Sequence, residues 1–206
     1  MLSANGEARK RLRAMELQHL NVKLVVKEPE EAALEALIPL FQNWIEKQEL
    51  EELLLDVADY RHVHGGPGVV LVGHQANYSV DHTDERWGVR YNRKAVVDGS
   101  NRDRLRQAMR AAATVCQRLE AEPRLKGKIR FDGQEMEFFV NDRLLAPHSD
   151  STAEALRPEF DAFFEKLFRG SEYLLTSSGD PRKPFGVSVK SSRTFSTADL
   201  LANLSS

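Results

Sequence analysis

The chain contains two similar stretches about 119 residues apart, and this internal similarity constrains its architecture more than any other feature. Residues 37–47 align without a gap with residues 156–166, and leucine, proline, phenylalanine, glutamate and lysine recur at five positions. Downstream, residues 68–72 resemble residues 186–190, at a spacing one residue shorter than that of the first pair. The pattern predicts two related halves that pair about an approximate twofold axis.

Apolar spacing predicts the same order of elements, strand, helix, strand and strand, in each half. The first unit covers about residues 20–94 and the second about residues 128–192. Between them, Ser100 and Asp103 form a capping-box pattern that predicts a connector helix over about residues 101–122. The predicted fold class is therefore α+β (mixed α/β), with internally duplicated β-α-β-β units and helices packed on a mixed or antiparallel sheet.

Local patterns within this plan give finer expectations. Residues 53–58 form a nearly continuous apolar run, which is typical of a strand buried on both faces of a sheet. Pro39 and Pro158 stand inside the two predicted helices of the repeat, where proline removes a hydrogen bond, so each helix is expected to kink or restart. Ser151, followed by a glutamate three residues later, predicts the start of the second of these helices.

The length allows one large domain or two small ones, the duplication favours one, and the composition is that of a soluble globular protein. Residues 1–16 are basic with little apolar content and predict a flexible arm, and residues 17–206 predict one globular domain. The formal charge of -2 and the pI near 6.3 give no global attraction to nucleic acid or membranes. No apolar run reaches the length of about 18 residues that a membrane helix needs. Because a single cysteine, Cys116, excludes an internal disulfide, we expect a cytoplasmic protein.

Acidic and basic side chains are concentrated in different segments of the chain, although the net charge is small. Residues 28–59 hold ten acidic side chains and one lysine, whereas residues 86–110 hold eight basic and two acidic side chains. Opposed segments of this kind hold one molecule together, pair two copies, or attract an anionic ligand to the basic side. The sequence leaves these alternatives open.

The most unusual segment is the loop over residues 59–68, Asp-Tyr-Arg-His-Val-His-Gly-Gly-Pro-Gly, which follows the apolar run. Its glycines permit backbone conformations that other residues resist, and they let a ligand approach the main chain closely. A tight turn between two strands would use the same residues. The candidate ligand-binding residues are Asp59, Arg61, His62, His64, Gly65 and Gly66.

His62 and His64 are also the candidate metal ligands. In an extended segment, two rings that are two positions apart point to the same side. Asp56 or Asp59, together with a later histidine, would complete a site for a divalent metal such as zinc, iron or manganese. Without a metal, the same imidazoles would exchange protons near neutral pH. Both hypotheses predict an enzyme at the loop.

Residues 64–68, His-Gly-Gly-Pro-Gly, resemble the oxyanion-hole loop of prolyl iminopeptidases, which are α/β-hydrolases. That family presents its nucleophile on a Gly-x-Ser-x-Gly elbow, and this sequence has none. The nearest approach, residues 186–190, lacks the closing glycine and lies in a predicted strand. This departure argues against serine hydrolase activity.

A nucleic-acid interface over the basic segment, Arg86 to Arg110, is the third hypothesis. Trp87 and Tyr91 alternate with Arg90 on a predicted strand, and aromatic and basic groups together bind single-stranded nucleic acid. In an extended strand, however, the aromatic rings point to one face and the arginines to the other. Nucleic-acid binding is therefore disfavoured.

The lack of any motif for a catalytic acid, base and nucleophile makes a non-enzymatic binding or assembly module the leading hypothesis. The opposed charges and the strand edges of such a sheet favour self-association into a homo-oligomer. An enzyme at the loop over residues 59–68 is the alternative. The sequence does not identify the small ligand.

Overall fold

The computed structural model describes residues 15–27, 31–177, 180 and 182–205, without the side chains of residues 31, 32 and 132. The predicted flexible arm, residues 1–16, lies outside these ranges except for its last two residues. Both of these are anchored to a later helix. The carbonyl oxygen of Met15 accepts a hydrogen bond from Asn101 Nδ2 at 2.7 Å, and Glu16 forms an ion pair with Arg104.

Eight strands and four α-helices occur in the described part of the chain. Their order is β1 (Leu20–Val26), α1 (Glu31–Lys47), β2 (Leu54–Tyr60), β3 (Gly68–Gly73), β4 (Ala76–Asp81), β5 (Gly88–Arg93), α2 (Asn101–Ala121), β6 (Phe131–Val140), α3 (Asp150–Leu167), β7 (Tyr173–Ser177), β8 (Phe185–Ser191) and α4 (Thr197–Asn203). The predicted connector helix is present as α2, and Ser100 and Asp103 form its capping box. No helix in the described ranges is both long and apolar enough to cross a lipid bilayer.

All eight strands join one antiparallel sheet in the order β2-β3-β4-β5-β1-β6-β8-β7. The α+β class is confirmed, and of the two sheet types that the sequence allowed, the antiparallel one is present. Strands β1 and β6 are neighbours near the centre, while β2 and β7 form the two edges. Tight connections are possible from β2 through β5 because consecutive strands of this run are antiparallel neighbours.

The helices cover one face of the sheet. Along β1, Leu20, Val22 and Leu24 are buried in the apolar core, whereas Asn21 and Lys23 point to the opposite face, as the two-residue period of a strand requires. Apolar residues of all four helices join this same core. Helix α2 packs on the central strands β1 and β5. We call the sheet side opposite the helices the polar face.

A cluster of aromatic rings forms the core between α3 and the second half of the sheet. Phe164 lies at its centre, with ring centroids 5.2 Å from Phe138, 5.3 Å from Phe163 and 5.7 Å from Phe168. Edge-to-face and offset arrangements of this kind are favourable for aromatic pairs. The cluster therefore attaches α3 firmly to β6.

Three local predictions differ from the structure. The apolar run over residues 53–58 is not buried on both faces, because β2 is an edge strand and Leu55 is 50% exposed. Helix α3 begins after Ser149, whose side chain accepts a hydrogen bond from Thr152 N, so Ser151 lies inside the helix. Both helices of the repeat continue through Pro39 and Pro158, so the expected restart is wrong, and the expected kink stays a prediction.

Candidate functional site

The loop between β2 and β3 is held in shape by its first residues. Asp59 Oδ1 accepts hydrogen bonds from Arg61 N at 3.0 Å and Arg61 Nε at 2.9 Å, and Oδ2 accepts from Arg61 Nη2 at 2.8 Å. These hydrogen bonds lower the pKa of the Asp59 carboxyl to about 2. Two turns follow, in which Val63 N donates to Tyr60 O and Gly66 N donates to Val63 O. Two predicted ligand residues, Asp59 and Arg61, therefore bind each other.

Gly68 is the position where this loop most needs glycine. Its φ is +67°, and a Cβ at this position would lie 2.0 Å from the carbonyl oxygen of Val80. Gly66 also allows a close approach, because a Cβ there would lie 2.9 Å from Val63 Cβ. The glycines thus shape the turn and bring the loop against β4.

A cavity of about 480 Å³ lies beside this loop, and we call it the loop cavity. The apolar and aromatic residues that line it are Leu34, Tyr60, Val63 and Trp87. The polar lining residues are Glu35, Arg61, His64 and His82, and three glycines, Gly65, Gly66 and Gly68, complete the lining. Of the six predicted ligand residues, Arg61, His64, Gly65 and Gly66 line the cavity, whereas Asp59 and His62 do not. The volume falls in the range of about 300–1,000 Å³ that is typical of ligand sites.

The far wall of the loop cavity is the segment between β4 and β5. His82 stacks on Trp87, with ring centroids 4.6 Å apart and an interplanar angle of 18°. The backbone of Trp87 is tied to the central strand, because its carbonyl oxygen accepts a hydrogen bond from Val26 N at 2.9 Å. The aromatic wall is therefore fixed to the sheet.

Lys23 is completely buried on the polar face and clamps the same segment. Its Nζ donates to Asp81 Oδ1 at 2.6 Å, Thr83 O at 3.0 Å and Arg86 O at 2.6 Å, which uses all three ammonium donors. Gly88 leaves room for its stem, since a Cβ there would lie 2.7 Å from Lys23 Cε. Burial lowers the pKa of Lys23, and the adjacent Asp81 carboxylate opposes this effect. Lys23 is therefore a structural clamp for the cavity wall.

The two candidate metal ligands, His62 and His64, are both exposed on the loop. In residues 15–27, 31–177, 180 and 182–205, no three His, Cys, Asp or Glu side chains come together as a metal-holding group. The loop cavity instead brings His64 and His82 together in one lining. The metal site stays a prediction, and no third ligand for it is evident in the described residues.

The basic segment is extensively engaged within the chain. On the polar face, Arg86 forms ion pairs with Glu135 and Glu137, and Arg90 Nε lies 2.9 Å from Asp81 Oδ2. These contacts join strands β4, β5 and β6 across the sheet. None of these three acidic partners lies in the acidic segment, residues 28–59, so these contacts leave open which of the three roles the divided charge has.

A second cavity, of about 620 Å³, lies between α2, the segment before β2 and the turn between β3 and β4. We call it the arginine cavity. Its charged lining residues are Arg93, Arg110, Arg118, Glu49, Glu51 and Glu52, and its neutral polar ones are His74, Gln75, Tyr78, Gln107 and Thr114. The end of the acidic segment meets α2 here, since Arg118 Nη1 lies 2.7 Å from Glu49 Oε2. No pattern in the sequence predicts this site.

Two buried tyrosines meet at the arginine cavity. The rings of Tyr78, which lines it, and Tyr91 have centroids 5.4 Å apart. Gln107 Nε2 donates a hydrogen bond to the Tyr91 hydroxyl at 2.9 Å. Burial raises the pKa of both phenols, and a hydrogen bond to Glu52 raises that of Tyr78 further.

We expect alkaline unfolding to be coupled to three of the four tyrosines, because burial and a hydrogen bond to Asp161 also raise the pKa of Tyr173, to about 12. An unfolded tyrosine ionises near pH 10, so the folded state retains these protons longer. Their stabilising contribution is complete below about pH 10 and is lost as the pH rises towards the folded pKa values. As the pH is raised, the increase in tyrosinate absorbance from these three residues should therefore coincide with the loss of helical far-UV circular dichroism. Ionisation of all three before any loss of helix would contradict the expectation.

The loop is evident from the sequence, but the far wall of its cavity is not. Trp87 was assigned only to the apolar face of a strand, whereas the ring lines the cavity together with Leu34 from α1. The position of Trp87 in the sequence gave one signal. It follows a polar turn and comes just before β5, and a large ring at the start of a strand can extend beyond the core. The partnership with Leu34 has no signal in the local sequence.

Comparison with known proteins adds no family assignment. No protein-family profile matches the chain, and a search of curated proteins finds no match. Function is therefore inferred from the geometry of the two cavities.

Proposed function

We propose that this protein is a binding module whose loop cavity takes a small molecule with a flat ring. The observation that carries the proposal is a cavity of about 480 Å³ beside the glycine-rich loop, with Tyr60 and Trp87 in its walls. Ligand sites are concave and largely apolar, with a few polar groups that fix the ligand's orientation. The loop cavity combines these properties.

Exposed aromatic surface favours a ligand with a planar group. Tyr60 is 43% exposed, and Trp87 is half-buried with His82 stacked on it. Rings that are already held in position lose little side-chain entropy when a planar group packs on them. Glu35 and His64 line the same cavity and would provide hydrogen bonds for polar substituents of that group.

Trp87→Ala should weaken the binding of aromatic fragments about tenfold or more, because it removes the stacking surface. The measurement is a ¹H–¹⁵N NMR titration with a library of aromatic and heteroaromatic fragments. In the unmodified protein, bound fragments should shift the backbone amides of Val63 and Gly66. The matched control is Trp44→Phe, since Trp44 is buried in the core and lines neither cavity. Fragments that shift other regions, or that bind the Trp87→Ala variant equally well, would contradict the proposal.

An enzyme at the same site is the second candidate, and the meeting of His64 and His82 at one cavity favours it. Two imidazoles that line one cavity can bind a divalent metal. Metal analysis of the untagged protein separates this candidate from a plain binding module. Stoichiometric metal that is lost on His64→Ala with His82→Ala supports the metalloenzyme, and a metal content that the double substitution leaves unchanged opposes it.

We also propose that the two halves share a duplicated origin, which is part of the scaffold interpretation. Both halves follow the order strand, helix, strand, strand, as β1-α1-β2-β3 and as β6-α3-β7-β8. In the first half, β4 and β5 stand between β3 and β1, whereas β8 pairs directly with β6. Three strands therefore separate β1 from β2, and one separates β6 from β7, so only the units α1-β2-β3 and α3-β7-β8 can correspond. Superposition of these two units tests common origin, and helices that fail to superpose together with their strand pairs would remove it.

Self-association is part of the same proposal. The edge strands β2 and β7 carry exposed apolar side chains, among them Leu55 and Leu174, and the outer edge of such a strand offers backbone groups for pairing. Sedimentation equilibrium tests for a homo-oligomer. A monomer at high micromolar concentration would remove this part of the proposal.

A further inference from the structure

The arginine cavity is separate from the loop cavity, since the two share no lining residue. We propose that it binds a small organic anion that carries a single carboxylate. Its volume of about 620 Å³ accommodates a ligand of metabolite size. Arginines reach it from two elements, with Arg93 at the end of β5 and Arg110 and Arg118 on α2.

Two of the three carboxylates in this cavity already have partners within the protein. Glu52 Oε2 accepts hydrogen bonds from Gln75 N at 3.2 Å and Ala76 N at 2.8 Å, which fixes the turn between β3 and β4. Glu49 Oε2 accepts from Arg118 Nη1 at 2.7 Å, which fixes the segment before β2 to α2. These carboxylates hold the cavity walls together, so they do not favour a cationic ligand.

The guanidinium groups retain donors for a ligand. In the described contacts, Arg110 donates only from Nη2, to Leu204 O and Ser205 Oγ, both at 3.2 Å. Arg118 donates only from Nη1. Each guanidinium has five N–H donors in a planar arrangement that matches a carboxylate. Because each guanidinium retains donors and two of the three carboxylates are engaged, the cavity favours an anion.

The charge balance favours one negative charge over two. Three arginines and three glutamates line the cavity, so a phosphate with two charges would meet repulsion from the glutamates as well as attraction from the arginines. The neutral groups of Gln75, Tyr78, Gln107 and Thr114 suit hydroxyl or amide substituents. A hydroxycarboxylate satisfies both features.

Titrations with lactate and with gluconate, each against sodium chloride of equal ionic strength, test this site by ¹H–¹⁵N NMR. Both should shift the backbone amides of Gln75, Gln107 and Thr114, with half-saturation at about 10 mM or below. Arg110→Gln should weaken the binding about tenfold, as expected for the loss of a charge-assisted hydrogen bond. Thr114→Trp, which fills the cavity and removes no charge, should abolish the same shifts.

The matched control is Arg102→Gln, because Arg102 is exposed on the same helix and lies outside the arginine cavity. It should leave both titrations unchanged. Binding that survives both Arg110→Gln and Thr114→Trp overturns the proposal, as does the absence of saturable shifts up to about 100 mM. Saturation by inorganic phosphate and by neither carboxylate overturns the carboxylate assignment. Circular dichroism checks the folding of each variant, and if one fails to fold, the other decides.

Discussion

Replacing Asp81 by alanine should lower the free energy of unfolding by about 3–5 kcal/mol. Asp81 and Lys23 are both completely buried, with Oδ1 and Nζ 2.6 Å apart. Alanine would leave the Lys23 ammonium in the interior with two carbonyl oxygens and without its counter-ion. An uncompensated buried charge is far more costly than a lost neutral hydrogen bond. Urea unfolding followed by far-UV circular dichroism measures the difference.

Two controls isolate the buried charge as the cause. Lys23→Met combined with Asp81→Leu removes both charges of the buried pair and leaves only the partly exposed Arg90 without Asp81, so it should cost less than Asp81→Ala alone. Asp84→Ala breaks a partly exposed ion pair with Lys183, whose Nζ–Oδ1 distance is 2.6 Å, and should cost less than about 1 kcal/mol. Equal losses for Asp81→Ala and Asp84→Ala would show that Lys23 is not a buried charge in the folded protein.

Phe164→Ala should also destabilise the protein by about 3–5 kcal/mol. The Phe164 ring is completely buried and contacts rings from β6, α3 and the segment after α3, including Phe138, Phe163 and Phe168. Alanine would leave a cavity among side chains that are attached to different elements and cannot all move into it. The same urea measurement gives the loss in stability.

Phe139→Ala is the matched control for Phe164→Ala. Phe139 is the next residue after Phe138 on β6, but it lies on the polar face and is only half-buried. Its ring packs over Gly186, where a Cβ would lie 2.6 Å from Phe139 Cδ1. Removing it should cost markedly less, because solvent can fill the space. A loss as large as that of Phe164→Ala would mean that the aromatic cluster is not the dominant core of this half.

Features that depend on neighbouring residues in the sequence were predictable. Ser100 and Asp103 specify the start of α2 through hydrogen bonds within one turn, and the structure contains that capping box. The apolar run over residues 53–58 identified a strand for the same reason. Its position at the edge of the sheet was not predictable, because the run does not encode which strands lie beside it.

The candidate site was predictable only in its local part. The glycines of the loop indicate close approach, and Gly68 makes it against Val80. The opposite wall comes from Leu34 and Trp87, which are far apart in sequence and meet only when α1 and the segment before β5 pack together. The divided charge likewise indicated electrostatic pairing, while the arginine cavity that forms where Glu49 meets Arg118 required the fold.

The binding proposal is tested most directly by a crystal structure of the protein soaked with the aromatic fragment that binds most tightly in the NMR titration. We predict electron density for its ring against Trp87, in contact with Val63 and Gly66. Density in the arginine cavity or at a sheet edge, with none beside Trp87, would contradict the account.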